Sequence, residues 1–408
     1  MTSKHISNYL ISLEEATDLI KDIKIPIKEE KILLKDSCNR ILSSDIYSLV
    51  DDPPFNNSSM DGYALIYSDT IGASKENPVK LDVIDIISAG KKSGFKIISG
   101  YASKIMTGAP IPEGADSIIM VEKTSIKDNK LEIVSPSFKT YIRFQGENIS
   151  KGELILKKGT KLTPRDLGLI ATSGHNEVNV YKKIKISIIS TGDELVSPGK
   201  KLLPGQIYES NSLILENIVN NLGYKSYRHE IIPDSIDQLR HELDKASEIS
   251  DVIITTGGVS MGDFDIVRQI MEKEGKILFW RMKIRPGSPP LVGEWIGTPL
   301  FGLPGNPASS FVVFYVLIKP WLNFISNTHN QEIKIIKAKI VEEIKIKPGY
   351  HSFLRVFIEN NGQEIIAYTK THQGSGNVNS LSVSNGLTFI RPDENVSKND
   401  IIDVILLD

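Results

Sequence analysis

The chain has 408 residues and a formal net charge of −2. It is too long for one ordinary core, so roughly two to four domains are expected, and too near neutral for a general attraction to nucleic acid or an anionic membrane. Hydrophobic residues make up 40% and charged residues 24%, the balance of a soluble globular protein, and the single cysteine, Cys38, excludes an internal disulfide framework and a cysteine-built zinc cluster and suits a reducing cytoplasm.

The opening stretch MTSKHISNYL carries no apolar signal core, which fits a cytoplasmic location. SLEEATDLIKDIKI then begins with a capping box, Ser12 at the N-cap and Glu15 three residues on, and apolar residues at 13, 16, 19, 20 and 23 predict one helical stripe. From about 32 to 160 short apolar pieces alternate with Gly, Pro, Asn and Ser, the texture of a β-rich region with long loops. TPRDLGLIATSG (163–174) returns to helix, with Thr163 as N-cap and Pro164 at the first helical position.

From about 183 strands and helices alternate regularly: IKISIIS, SNSLILENIVNNLG, YKSYRHEII, SIDQLRHELDKASEIS, DVIITTGG and FDIVRQIMEKEG. ILFWRMKI and TPLFGLPG read as further strands, and PASSFVVFYVLIKPWLNFIS as a long helix. Such alternation predicts a parallel sheet covered on both faces. The apolar run FVVFYVLI (311–318) is far shorter than the roughly 20 residues of a bilayer span, so a buried core helix is expected. Beyond about 329 the pattern is all strand, with a hairpin at Asn361-Gly362 and IIDVILLD at the end.

Ligands of open α/β sheets bind beyond the carboxyl ends of the strands. Three loops fall there: STGDEL (190–195), TTGGVSMGDFD (255–265) and GLPGNPAS (302–309). Glycine lets backbone approach a ligand, and helix N-termini offer N–H groups to an anion; three plain βα turns are the competing reading. Asp193, Glu194, Asp263 and Asp265 lie at this edge, with Asp234 after the second strand. Carboxylates beside a phosphate site call for a divalent cation between them, whereas an aspartate at a helix start also serves as a cap. In FWRMKIRPGSPP, Arg281, Lys283 and Arg285 alternate with apolar residues, which at strand period places all three on one face, suited to a polyanion; for Lys283 a solvated face is the alternative. No P-loop, dinucleotide fingerprint, nucleophile elbow or zinc-ligand histidine spacing occurs.

Taken in order, PPFNNSSMDGYA, IMTGAPIPEGAD, FQGENI, STGDEL, ESNS, TTGGVSMGDFD, IRPG and GLPGNP closely resemble the MoeA-type molybdopterin molybdenumtransferases, the family that includes the gephyrin E domain. The resemblance covers essentially the whole chain. It implies a multidomain α/β and β protein: an elongated helical–strand domain from segments 1–55 and 149–182, a β-rich insert over 56–148, an α/β domain of the molybdopterin-adenylyltransferase type over 183–328, and a C-terminal β-barrel over 329–408. It further implies a cytoplasmic homodimer whose cleft is shared between subunits, a contact with the molybdopterin adenylyltransferase, and no nucleic-acid or membrane partner. The implied reaction is insertion of molybdate into adenylylated molybdopterin with release of AMP. The adenylyltransferase step and a tungstate-specific relative are the alternative readings.

Residue by residue, the resemblance places Glu194, Asp234, Asp265, Asp61 and Thr107 in the chemistry, with Glu194 and Asp265 on a Mg2+ ion. Gly257, Gly258, Ser260, Arg281, Arg285, Ser288, Pro304, Pro307, Arg143 and Asn148 fall to substrate binding. Arg281 and Arg285 stand where the family often has lysine, which keeps the charge but replaces a point cation with a planar fork. Asn148 stands where some members carry a carboxylate. For molybdate itself, Arg285 and Ser288 of RPGS form one expected oxyanion seat and Thr107 another.

Overall fold

The computed structural model describes residues 10–259, 265–326 and 333–407. Its central feature is a six-stranded sheet in the order Lys225–Arg228, Lys185–Ser190, Val252–Thr256, Thr298–Leu303, Leu291–Trp295, Lys276–Trp280. The first four strands are parallel, and Leu291–Trp295 runs antiparallel to both of its neighbours, so the sheet is mixed rather than parallel throughout. Leu291–Trp295, which the pattern did not single out, joins Thr298–Leu303 through Ile296-Gly297, both at positive φ (48° and 79°). That is a two-residue turn without the Asn-Gly or Asp-Gly that normally announces one.

Neighbouring residues of the central strands point to opposite faces, and both faces are covered. Ile186, Ile188, Val252, Ile254 and Phe301 pack against Phe314 and Trp321 of the long helix, whereas Ile189, Ile253 and Leu300 meet Leu239, Leu243, Val267 and Ile270 of two helices on the other side. This two-sided burial explains why the strands read as unbroken apolar runs.

The expected strand ILFWRMKI stops at Trp280. Arg281 has φ +79° and donates its N–H to Pro290 O at 2.9 Å, which takes the chain off the sheet. Ile284–Arg285 then pairs with His351–Ser352. Arg281, Lys283 and Arg285 therefore do not share one strand face, because the left-handed residue breaks the alternation on which that expectation depended.

The long helix runs from Pro307 to Ile325, 19 residues, with 72% of its most apolar stretch buried. The whole helix is thus long enough to cross a bilayer although FVVFYVLI alone is not, and its burial makes it a core helix. Phe314–Ile318 is π-helical; the wider turn accommodates Pro320, which has no N–H to donate. Trp321 packs on Phe301 at 4.9 Å between centroids, and its indole donates to Ile23 O at 3.3 Å, tying the sheet to the N-terminal helix.

That helix, Leu13–Lys21, has the expected Ser12–Glu15 capping box and buries Leu13, Ala16 and Ile20, whereas Leu19 remains exposed. A second six-stranded sheet is built from strands between Gly62 and Ile133, in the region expected to be β-rich. Five strands between Ile335 and Leu406 close into a barrel, with a short helix, Val378–Ser382, that the all-strand reading did not include. The hairpin around Asn361-Gly362 is present as Arg355–Asn360 and Ile365–Tyr368.

Replacing Trp321 with alanine removes its contact with the sheet and its indole bond together. The expected cost is about 3–5 kcal/mol, seen as a lower urea midpoint with an unchanged slope.

Candidate active site

Three adjacent parallel strands end side by side, and their loops are stitched together by main-chain bonds. Thr191 N–H donates to Thr256 O at 3.0 Å, Gly192 N–H to Ile232 O at 3.1 Å, and Gly257 N–H to Leu303 O at 3.1 Å. Gly257 has φ +90°, and a Cβ there would lie 2.6 Å from Thr191 O, so both conformation and space require glycine. The loops enclose a cavity of about 430 Å³.

Of the residues expected at a site, Glu194, Asp234, Asp265, Gly257, Gly258, Pro304 and Pro307 all line this cavity. Ser260 and Asp263 lie outside the described residues. Arg281, Arg285 and Ser288 are not among its lining residues. Arg281 lies 5.8 Å and Arg268 4.9 Å from the Trp280 ring, and Trp280 in turn donates to Val259 O of the glycine loop at 2.9 Å. Arg285 lies 5.5 Å from the Tyr350 ring, and Ser288 Oγ donates to Met282 O at 2.8 Å.

The start of the long helix does not offer the open N–H groups expected of it. Pro307 has none, Ala308 N–H donates to Ser375 O of the C-terminal region, and Ser309 and Ser310 N–H donate to Asn306 O. Asp265 occupies the N-cap position of Ile266–Lys273, and its main-chain carbonyl accepts from Gln269 N–H at 3.1 Å; the third N–H of that helix, on Arg268, donates to Gly258 O at 3.1 Å. The glycine loop and the helix start are thereby fixed to each other.

The segment ESNS contributes more than its sequence suggested. Glu209 is buried, and its carboxylate accepts from Ser190 Oγ at 3.0 Å, Ser212 N–H at 2.7 Å and Ser212 Oγ at 2.7 Å, holding a strand end and a helix start together. The only cue was its position between a strand and a helix. A second unforeseen residue is Arg355, which is buried and in no ion pair among the described residues. Its Nη2 donates to Gly374 O at 2.9 Å, its Nη1 has no partner, and burial pushes it down to about 10.

Asp61, Thr107, Arg143 and Asn148 lie outside this cavity. Asp61 Oδ1 accepts from Thr107 N–H at 2.7 Å and Oγ–H at 3.0 Å; the backbone bond first, then the hydroxyl, holds the Asp61 carboxyl below its usual range. Asn148 Nδ2 donates to Asp52 Oδ2 at 3.0 Å, and Arg143 is exposed opposite Asn57.

Known families match this chain in three consecutive stretches: the MoeA N-terminal region (domains I and II) over residues 11–174, a probable molybdopterin binding domain over 187–323, and the MoeA C-terminal region (domain IV) over 337–407. A molybdopterin molybdenumtransferase of Haemophilus influenzae is 36% identical over 314 residues, 76% of either chain. One from Staphylococcus epidermidis is 33% identical over 400 residues, covering 97% of this chain and 95% of the relative. The chain belongs to the molybdopterin molybdenumtransferase family. Its fold is shared with the crystal structure of a molybdopterin biosynthesis MoeA protein from Pyrococcus horikoshii, at a TM-score of 0.82, 32% identity and coverage of 98% and 99% of the two chains.

In this family member the cavity is electrostatically crowded. The Asp234 carboxyl is held above the usual range, first by burial and then by the charges of Asp193, Glu194 and Asp265, against a hydrogen bond from the Asp193 backbone that acts the other way. Because folding raises this pKa, the protonated form favours the native state at low pH, and that contribution is lost as pH rises through the folded value. Asp234→Asn is therefore expected to raise the melting temperature at neutral pH without divalent cation. The gain should shrink below the ordinary aspartate range, as followed by thermal denaturation across pH.

Proposed function

We propose that this protein inserts molybdenum from molybdate into adenylylated molybdopterin, cleaving the adenylate and releasing AMP. The observation that carries the reading is the convergence of Glu194, Asp234 and Asp265 on one glycine-walled cavity at the carboxyl ends of parallel strands. A pyrophosphate needs close backbone, which Gly257 and Gly258 supply through positive φ. It also needs counter-charge against carboxylates that already repel one another.

Mg2+ fits that need. Among the described residues no three His, Cys, Asp or Glu side chains are grouped to hold a metal by themselves, and Mg2+ asks for only one or two carboxylates beside phosphate oxygens. Glu194 and Asp265 are the residues we assign to it; when bound, it would neutralise the carboxylates and polarise the phosphate oxygens. Asp234 keeps its proton to a higher pH than a free aspartate, which suits it to hold or return a proton at the reacting oxygen.

Molybdate is a tetrahedral oxyanion and takes cations and hydroxyls. Arg285 remains our candidate, at the start of the RPG turn and paired through its strand with His351–Ser352. Ser288, whose hydroxyl is taken by Met282 O, is the weaker half of that seat. Asp61, Thr107, Arg143 and Asn148 lie away from their own chain's cavity, and we assign them to the cavity of a second copy in a cytoplasmic homodimer.

The test is an insertion assay with adenylylated molybdopterin, Mg2+ and molybdate or tungstate. AMP release that depends on the oxyanion and is abolished by a chelator is expected, and no oxyanion-dependent release would overturn the proposal. Asp265→Asn should lower the rate by about a hundredfold or more, the scale of losing one pre-positioned charged group. Arg285→Ala should raise the molybdate requirement while leaving the bound pterin-adenylate in place.

A further inference from the structure

Two polar groups of cavity-lining residues have no hydrogen-bond partner among the described residues: Asn211 Oδ1 and Thr191 Oγ1. Both residues are nine-tenths or more buried, at 9% and 4% exposure. Orphaned buried polar atoms are uncommon in native proteins and call for an explanation.

The orientation of the Asn211 amide is fixed by chemistry. Its Nδ2 donates to Gly305 O at 2.7 Å; the reverse orientation would set two acceptors against each other. Asn211 begins the helix Asn211–Asn221 and Gly305 belongs to the GLPGNP loop, so this bond spans two walls of the cavity and leaves Oδ1 as the amide's open acceptor. Glu209, two residues earlier, cannot play the same part, because its carboxylate is occupied by Ser190 and Ser212.

We propose that Asn211, together with the Thr191 hydroxyl, is a specificity determinant that accepts a hydrogen bond from an amino group on the ligand's heterocycle. This rests on reading the cavity as the pterin-adenylate site. That ligand has two heterocycles with an exocyclic amino group, pterin and adenine; the chemistry read is the same for both, and the experiment separates them.

Equilibrium binding would be measured for two pairs of probes, AMP against IMP and pterin against lumazine, in which an amino donor is exchanged for an oxo acceptor. The wild type is expected to prefer the amino member of one pair by about tenfold, the scale of one buried hydrogen bond. Which pair shows the preference identifies the heterocycle. Asn211→Leu should erase the preference, and Thr191→Val, which leaves the Asn211–Gly305 bond intact, should weaken it without lowering the melting temperature; the valine variant decides the matter if the leucine variant does not fold. No preference in either pair, or a preference that survives substitution, would overturn the assignment. AMP release by the wild type is followed in parallel: its absence overturns the functional reading, whereas normal release without an amino-over-oxo preference overturns only the role of Asn211 and Thr191.

Discussion

Like charges crowded at the end of a sheet are the constraint on which this site depends. Glu194, Asp234 and Asp265 come from loops after three different strands, and burial, followed by the charges of Asp193, Glu194 and Asp265, raises the Asp234 carboxyl above its ordinary range. Loops under that repulsion need to be held, and the bonds that hold them are mostly backbone: Thr191 to Thr256, Gly192 to Ile232, Gly257 to Leu303 and Arg268 to Gly258. These main-chain bonds keep the loops close while Glu194, Asp234 and Asp265 line the cavity between them.

The same logic extends outward. The GLPGNP loop is braced from behind by the long core helix that it opens and from the side by the C-terminal region, through Ala308 N–H to Ser375 O. That helix is anchored in turn by Trp321 on Phe301 and on Ile23 O. A second tie joins the ends of the chain: His351, buried on the strand beside Ile284–Arg285, bonds Glu14 at 2.8 Å. The site therefore sits where the sheet, the first helix and the barrel all constrain one another.

Much of this was legible in the sequence because it is local. The Ser12–Glu15 capping box and the Thr163 N-cap, the apolar strands and the hairpin at Asn361-Gly362 each follow from neighbours within a few residues. So do the three glycine-bearing loops, which parallel topology then brings to one edge. What could not be read depended on partners distant in the chain. Arg281 leaves its strand because Pro290 O captures its N–H, and the Ile296-Gly297 turn gives no strong local signal. At the start of the long helix, Ala308 N–H is taken by Ser375 O, far along the sequence. Glu209 and Arg355 became visible only once burial and bonding partners were known, since neither belongs to a spacing pattern that announces its role.

The separation of charge is the last consequence. Within one chain the cavity walls carry the carboxylates, whereas Arg281 and Arg285 lie against Trp280 and Tyr350 rather than on those walls. A cavity that is acidic alone cannot favour a polyanion, so the attraction has to come from outside its walls. Under the proposed reading, a divalent cation would supply part of it and the guanidiniums of Arg281 and Arg285 the rest. The indole of Trp280 links these two halves: it keeps Arg268 and Arg281 near its ring while bonding Val259 O of the glycine loop. Positive charge is thus held next to the glycine loop, at the ring of Trp280. For the proposed ligand, an acidic floor with a basic margin would bind a metal–pyrophosphate unit more strongly than either charge pattern alone, because each sign would meet its complement in one ligand.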